Sequence, residues 1–369
     1  MKTWRNTQIL SLFGIELPII QAPMAGVGTP QLAVAVARVG GLGSLACALL
    51  SPEQVCTAVT SMLTHTTGPL NLNFFCHAPP VSEPHRLSVW QRRIQPYAKA
   101  LGLPLVSPST STPPSSPGVH AFDESFCKVV EQFKPRVVSF HFGLPEASLV
   151  ARVRATGARI ISSATTVDEA RWLAGHGCDA IIAMGTEAGG HRGTFLPGEL
   201  YTQAGTLALV PQIIDAVSVP VIAAGGIADG RGLAAAMMLG ASAVQMGTAY
   251  LLADEVALPP LHRKAIERSR DDATALTNVF TGRPARAVVN RAVRELGPLA
   301  ADAPPFPLAG LALAPLRMHS EKGGADDFTP LWSGQAASLA KALPAADITR
   351  GIAAEALDLM GVQGMRACK

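Results

Sequence analysis

The sequence predicts an α/β fold, a (β/α)8 (TIM) barrel carrying a C-terminal, mainly helical cap. Three observations lead there. Eight short apolar segments alternate with helical patterns over the first two thirds of the chain, the order expected of a parallel sheet wrapped by helices. Hydrophobic residues make up 48% of the 369 but aromatic residues only 5%. The core must therefore be filled by Ala, Val, Leu and Ile, as in helices packed closely on a buried sheet. Glycine-bearing turns follow the seventh and eighth apolar segments, where barrels bind phosphate.

The strand candidates are residues 17–22, 41–45, 70–74, 137–141, 159–163, 180–184, 219–223 and 243–247. Most are rich in β-branched residues and bounded by Gly or Pro, as buried strands tend to be. Helical patterns cover residues 30–39, 52–60, 86–101, 122–133, 144–156, 167–176, 206–217 and 231–239. Pro30 suits a first helical turn, and Ser51, Thr166 and Asp229 suit N-caps. A doubly wound open sheet is the runner-up. The count of eight weakens it, and Gly26-Val27-Gly28 is too short for the dinucleotide fingerprint. Residues 107–118, rich in Ser, Pro and Thr, read as an exposed loop within the third connection. The barrel is assigned to residues 1–251. Residues 252–369 are read as a helical region over the barrel mouth whose end returns to the barrel, with helices over 261–270 and 336–343.

Net charge is +3 with scattered arginines, which argues against a nucleic-acid partner. Residues 94–99 and 263–270 read as solvated helix faces. Six cysteines form no C-x-x-C pair, so neither zinc nor a disulfide framework is expected, and a reducing cytoplasm fits. Cys76, His77 and His85 are irregularly spaced and lack an acidic partner, so no metal is expected. Pro18 and Pro23 interrupt the first apolar run, which removes a signal-peptide reading. No breaker-free apolar stretch of ~20 residues suggests a membrane span.

The residues that could carry chemistry sit at predicted strand ends. Gly225-Gly226 and Gly247-Thr248 follow the seventh and eighth strands. Their backbone N–H groups, with the Thr248 hydroxyl, can approach a phosphate closely; the alternative is that the glycines only make tight turns. Residues 185–193 hold Glu187, His191 and Arg192 among four glycines. This loop could lie flat on a planar ring system or form a lid whose charges face water. His141 ends the fourth strand, where barrel residues face the site, and an imidazole there can exchange a proton or stabilise an anion. Asn71 and Asn73 share one strand face, which suggests a polar ligand in the mouth or bonds to neighbouring backbone. Ser44 and Ser163 lack a nucleophile-elbow context.

Several motifs, in order, resemble the nitronate monooxygenases. They are Pro18-Ile-Ile-Gln-Ala-Pro-Met-Ala-Gly26, Asn71-Leu-Asn-Phe-Phe75, His141-Phe-Gly143, Glu187-Ala-Gly-Gly-His191, Ala224-Gly-Gly-Ile227, Gln245-Met-Gly-Thr248 and Leu331-Trp-Ser-Gly-Gln335. The resemblance implies FMN held non-covalently. Ala22, Pro23 and Met24 would line the flavin, with Asn73 near the ring. Met184, Gly189, Gly190, Gly225 and Gly226 would also contact the cofactor, and Gln245, Met246, Gly247 and Thr248 would lie near its phosphate. Met184 departs from the family's usual Gln, and a thioether cannot donate a hydrogen bond. His141 matches the family's active-site histidine, expected to give a hydrogen bond or positive charge to the substrate.

The activity implied is oxidation of an anionic alkyl nitronate by O2 to a carbonyl compound and nitrite. A homodimer is compatible with it. Rival readings are an NAD(P)H-dependent FMN enoyl-ACP reductase or quinone reductase on the same scaffold, and a non-catalytic flavin-binding protein. A barrel-type purine-nucleotide dehydrogenase is disfavoured because residues 185–193 lack a cysteine nucleophile.

Overall fold

The computed structural model describes Trp4 and residues 6–81, 83–104 and 118–362. All but the last residue of the expected loop at 107–118 falls outside the described residues. All eight predicted strands form, within two residues of their predicted ends. They are β1 (Ile19–Gln21), β2 (Gly43–Ala46), β3 (Leu70–Phe75), β4 (Val137–His141), β5 (Arg159–Ala164), β6 (Ala180–Met184), β8 (Val221–Ala224) and β9 (Ala243–Met246), while β7 (Gly190–His191) lies outside the barrel. The barrel strands run parallel in the order β1-β9-β8-β6-β5-β4-β3-β2, and a parallel bridge between Ile20 and Leu42 brings the two ends together.

Helices α1 (Gln8–Phe13), α2 (Pro30–Arg38), α3 (Pro52–His65), α4 (Pro84–Ala100), α5 (Glu124–Phe133), α6 (Ala147–Ala155), α7 (Val167–Gly175), α8 (Thr206–Ala216) and α9 (Gly230–Met238) fall within the barrel sequence. The caps expected from sequence form. Ser51 accepts from the Gln54 N–H in a complete capping box, Thr166 accepts from Glu169 and Asp229 from Gly232. Each satisfies an N–H that the first helical turn leaves without a partner.

Beyond β9 come α10 (Pro260–Glu267), β10 (Thr274–Thr277), β11 (Ala285–Val288), α11 (Arg291–Leu296), α12 (Ala309–Lys322) and α13 (Ala345–Val362). Helix α13 returns to the barrel wall, packing on α9 and α2. It therefore takes the place of the eighth barrel helix, and the segment between β9 and α13 is an excursion within the last βα unit. Glu355 on α13 accepts the Gly230 N–H at 2.9 Å, and Tyr250 is hydrogen-bonded to Thr349 at 2.8 Å.

The excursion builds its own core with α4. Trp90 and Ile94 from α4 pack with Val279, Phe280, Leu296, Leu313 and Phe328, and the Trp90 indole N–H donates to the Ala309 carbonyl at 3.1 Å. Residues 94–99 are thus not simply a solvated face. Trp90, Ile94 and Ala98 recur every four residues and are buried, so the apolar stripe overrides the arginines beside it. The same holds at α10, where Ala265 and Ile266 are buried. The expected helix at 336–343 is only a 3-10 turn at Ala337–Leu339; Pro344 instead begins the turn from which α13 starts. The cap also holds a sheet that the sequence reading lacked, with β11 antiparallel to both β10 and β7. No helix of the described residues is long and apolar enough to cross a membrane.

Along the barrel interior the side chains change character from bottom to top. Ile20, Leu42, Val137, Ile161, Ala180, Ile222 and Ala243 form one apolar cluster with Ile9 and Phe13 of α1, which plugs the lower end. Two residues further along, four of these strands present Ser44, Ser139, Ser163 and Gln245 on the same face, while β6 and β8 present Ile182 and Ala224, because side-chain direction alternates with period two. The lower layers are a packed core; the upper layer is polar.

The seam between α9 and α13 gives a test. A Cβ at Gly230 would lie 2.5 Å from Glu355 Cβ and 2.6 Å from the Ala356 nitrogen, so Gly230→Ala must push α13 outward. It should destabilise the protein by about 1–3 kcal/mol in chemical denaturation. Gly175→Ala, in a helix with open space around the new methyl, should be neutral or stabilise by up to about 1 kcal/mol. Equal effects from the two substitutions would show that the α13 seam is not tightly packed.

Candidate active site at the barrel mouth

His141 is the last residue of β4 and faces the interior above Val137 and Ser139. Its Nε2 lies 3.1 Å from the His191 carbonyl and its Nδ1 3.0 Å from Ser163 Oγ. A carbonyl only accepts, so Nε2 carries the proton, and in the neutral ring Nδ1 accepts from the Ser163 hydroxyl. Burial, reinforced by the nearby Arg283 charge, pushes the His141 pKa down to about 3. The ring is thus a neutral hydrogen-bond donor, not the positive charge considered from sequence. Gly193 permits this placement, since a Cβ there would lie 3.1 Å from His141 Cε1 and 2.9 Å from Ser163 Cβ.

The β6–α8 loop is not a lid with charges in water. Arg192 is fully buried. Its guanidinium donates to the Gly185 carbonyl at 2.5 Å, the Met184 carbonyl at 2.7 Å and Gln203 Oε1 at 2.8 Å. Glu187 accepts the Thr206 N–H and hydroxyl at 2.9 Å, capping α8 from a distant position. Buried Arg286 donates to the Thr186 carbonyl at 2.8 Å. The Trp332-Ser-Gly-Gln335 segment docks on the same loop. The Gln335 N–H donates to the Glu187 carbonyl at 3.0 Å, and a Cβ at Gly189 would lie 2.5 Å from the Gly334 nitrogen. Glycine is therefore needed at 189 for close backbone approach, not for a special φ.

The rim turns converge on one side of the mouth. The Ala22 N–H donates to the Met246 carbonyl at 2.8 Å. Gly247 sits against Ala22 and Met24, since a Cβ there would lie 3.4 Å from Ala22 Cβ and 3.8 Å from Met24 Sδ. Pro23 lies in the same turn. Thr248 Oγ1 accepts the Gly334 N–H at 2.9 Å. Gly225 and Gly226 have φ of 116° and 70°, a region that L side chains rarely adopt. A cavity of about 480 Å3 opens beside these two glycines, walled by Thr206, Val210, Gly232 and Ala236. It adjoins the expected phosphate turn rather than His141.

Asn73 Nδ2 donates to Ser139 Oγ at 3.0 Å, and Asn71 Nδ2 donates to Ser44 Oγ at 3.0 Å. Asn71 Oδ1 and Gln245 Oε1 are buried without a partner. Met184 faces the interior and its carbonyl is held by Arg192. Met246 is buried in the layer between sheet and helices, so only its main chain reaches the rim. Gly190 pairs with Arg286 in the β7–β11 ladder.

Above His141 stands an aromatic cluster that sequence reasoning missed. The Phe142 ring lies 4.4 Å from His141, 4.8 Å from Phe75 and 5.8 Å from Phe306. His191 lies 5.3 Å from Phe306 and 5.2 Å from Trp332. Phe142 has φ 72°, a strained setting for an aromatic residue, costing of order 1–3 kcal/mol. The Arg283 guanidinium carbon stacks 3.7 Å above its ring centroid. Burial and the Arg283 charge lower His77 to about 4; burial, His141 and Arg283 lower His191 to about 3. The one local signal was the Gly282-Arg283-Pro284 turn. Nothing in spacing ties it to a strand end more than 140 residues earlier, at His141.

The family model described as nitronate monooxygenase matches residues 6–355. A nitronate monooxygenase of Pseudomonas aeruginosa is 39% identical over 348 residues, covering 93% of this chain and 97% of that protein. Among solved structures, a nitroalkane oxidase from Streptomyces ansochromogenes is 36% identical with a TM-score of 0.84, covering 96% of this chain and 99% of that one. FabK from Thermotoga maritima is 28% identical with a TM-score of 0.71, covering 98% and 99%. A polar barrel mouth with an interior-facing histidine, matched across nearly its whole length, places this chain in the nitronate monooxygenase family of oxidoreductases.

Proposed function

We propose that this chain oxidises alkyl nitronates of the propionate-3-nitronate type with O2, using FMN, to give a carbonyl compound and nitrite. The observation that carries this reading is the neutral His141 at the top of a polar inner layer, beside a cationic Arg283. A histidine held near 3 is a weak base, and proton abstraction from carbon improves as the base's pKa approaches the working pH. Such a group is poorly suited to deprotonate a neutral nitroalkane. It can serve an already ionised nitronate instead, giving it the Nε2–H once the substrate displaces the His191 carbonyl that now accepts it.

The residues present fit FMN on two grounds. Gly225 and Gly226 form a turn with φ of 116° and 70° that borders the cavity of about 480 Å3, where main-chain groups can meet an anion. The unpartnered buried acceptors Asn71 Oδ1 and Gln245 Oε1 await a donor, because such atoms are costly without one. Ala22, Pro23, Met24, Asn73 and Met184 would contact the ring, with Gly189 and Gly190. Gly225, Gly226 and Met246 to Thr248 would hold the phosphate end, and Gln245, whose Oε1 needs a donor, would face a ring N–H. Bound there, the flavin supplies the electron-accepting chemistry. The chain's own residues orient the substrate and exclude water. Ser163 and the His191 carbonyl keep His141 in one tautomer, and Phe75, Phe142 and Phe306 form a low-dielectric wall.

His141→Ala should lower kcat by about 10²- to 10⁴-fold while the purified protein keeps its yellow flavin; full activity would remove His141 from the reaction. Ser163→Ala should cost about 1 kcal/mol, or about fivefold in kcat, with unchanged flavin content. Anaerobic mixing with ethylnitronate or propionate-3-nitronate should bleach the flavin within a turnover time. Rapid bleaching by NADPH, and none by nitronate, would favour a reductase instead.

The depressed histidines also set a stability profile. Their folded pKa values lie below the ordinary 6.5, so protonation favours the unfolded chain. Stability is full above about 6.5 and is lost as pH falls from there toward 4 and then 3. The thermal midpoint should drop over that window, and His191→Asn should flatten the drop. A midpoint independent of pH between 7 and 4 would contradict these shifts.

A further inference from the structure

Arg283 is the cation of the aromatic cluster, and its surroundings leave it without a counter-ion. It belongs to a tight turn, Thr281-Gly282-Arg283-Pro284. Gly282 has φ 87°, and a Cβ there would overlap the Pro304 carbonyl, so the turn is pressed against the cap. The Pro284 carbonyl accepts the Arg192 N–H at 2.9 Å. The Arg283 side chain lies flat on Phe142 and donates from one terminal nitrogen to the Thr194 carbonyl. Its Nε–H is buried with no partner. Among the described residues no carboxylate forms an ion pair with it. Glu169, the acidic group whose field it feels, is occupied by the N–H groups of Thr165 and Phe195 and the Thr165 hydroxyl. The neighbouring histidines are neutral and cannot balance it.

We propose that Arg283 is the substrate-docking residue of this site and takes the planar, two-oxygen anionic group of the substrate on the edge of the guanidinium that lies flat on Phe142. The inference rests on the nitronate reading above and adds a specificity determinant to it. A guanidinium offers coplanar N–H donors on a rigid fork that matches two oxygens on one atom, whereas an ammonium is a point charge. Stacking on Phe142 fixes the plane of the fork before the ligand arrives. A nitronate N–O2 group and a carboxylate share this geometry, so both are chemically admissible. His141 then borders the reacting end as a neutral ring, and the substrate charge is neutralised by Arg283.

The test compares Arg283→Gln and Arg283→Lys with the parent holoenzyme. Two readouts are used: titration of the flavin absorbance with nitrate, a non-reacting planar anion, and steady-state kinetics with ethylnitronate and propionate-3-nitronate. Loss of a charge-assisted bond predicts that the nitrate Kd rises about 10- to 100-fold in Arg283→Gln. KM should rise by a similar factor and kcat should change far less, because docking is shared by ground and transition states. Arg283→Lys should fall between. A KM increase with both substrates assigns the nitronate group to Arg283; an increase with propionate-3-nitronate alone assigns the carboxylate. Unchanged nitrate affinity and unchanged KM with both substrates overturn the proposal. If Arg283→Gln does not fold with flavin, Arg283→Lys decides alone, and parental nitrate binding and KM in it overturn the proposal. Parent protein that binds nitrate through Arg283 yet fails to oxidise either nitronate would sink the functional reading and leave this assignment standing.

Discussion

The site depends on one buried guanidinium. Arg192 is removed from water and carries its charge among the carbonyls of Met184 and Gly185 and the amide of Gln203. Removing such an ion from water costs several kcal/mol unless its donors are satisfied. Here the carbonyls of a strand end and a glycine-rich loop satisfy them. That draws residues 185–193 back over the end of β6, and everything else at the mouth follows from their path. The His191 carbonyl is brought to His141, Gly189 lies against Gly334, and the Arg192 N–H reaches Pro284, next to Arg283.

Electrostatics then divides the labour. Three histidines belong to the aromatic cluster, and burial together with the Arg283 charge holds all three neutral. A cation without a counter-ion among neutral rings makes a site matched to a small anion, and the aromatic wall lowers the local dielectric so that each interaction counts for more. The same wall explains the strain tolerated at Phe142, since its left-handed backbone is what lays the ring under Arg283.

The cap is built from two insertions, not from an appended domain. Helix α4 leaves the barrel after β3, and the segment from α10 to α12 leaves after β9; they meet in a common apolar core around Trp90 and Phe328. Helix α13 then completes the barrel wall. The cap is thus tethered to the barrel at both ends of each insertion, and β7 from the glycine-rich loop is woven into its sheet. Cap and active-site loop are mechanically one piece.

The barrel was legible in the sequence because its determinants are local. Eight apolar strands, their Gly and Pro boundaries and the caps at Ser51, Thr166 and Asp229 can each be read within a few residues. So could His141, whose place at a strand tip follows from counting along β4, and the glycines of the rim turns. Helix α13 as the eighth wall helix, the β7–β10–β11 sheet and the burial of Ile94 were not legible, because each depends on pairing between segments far apart in the chain. The same is true of the chemistry around His141. Its neutrality, its tautomer and its partnership with Ser163, His191 and Arg283 arise from burial and from charges that approach only once the chain has closed. A residue's type and position belong to the sequence; its protonation state and its counter-ion belong to the folded environment, because desolvation and Coulomb interactions are set by distance in space.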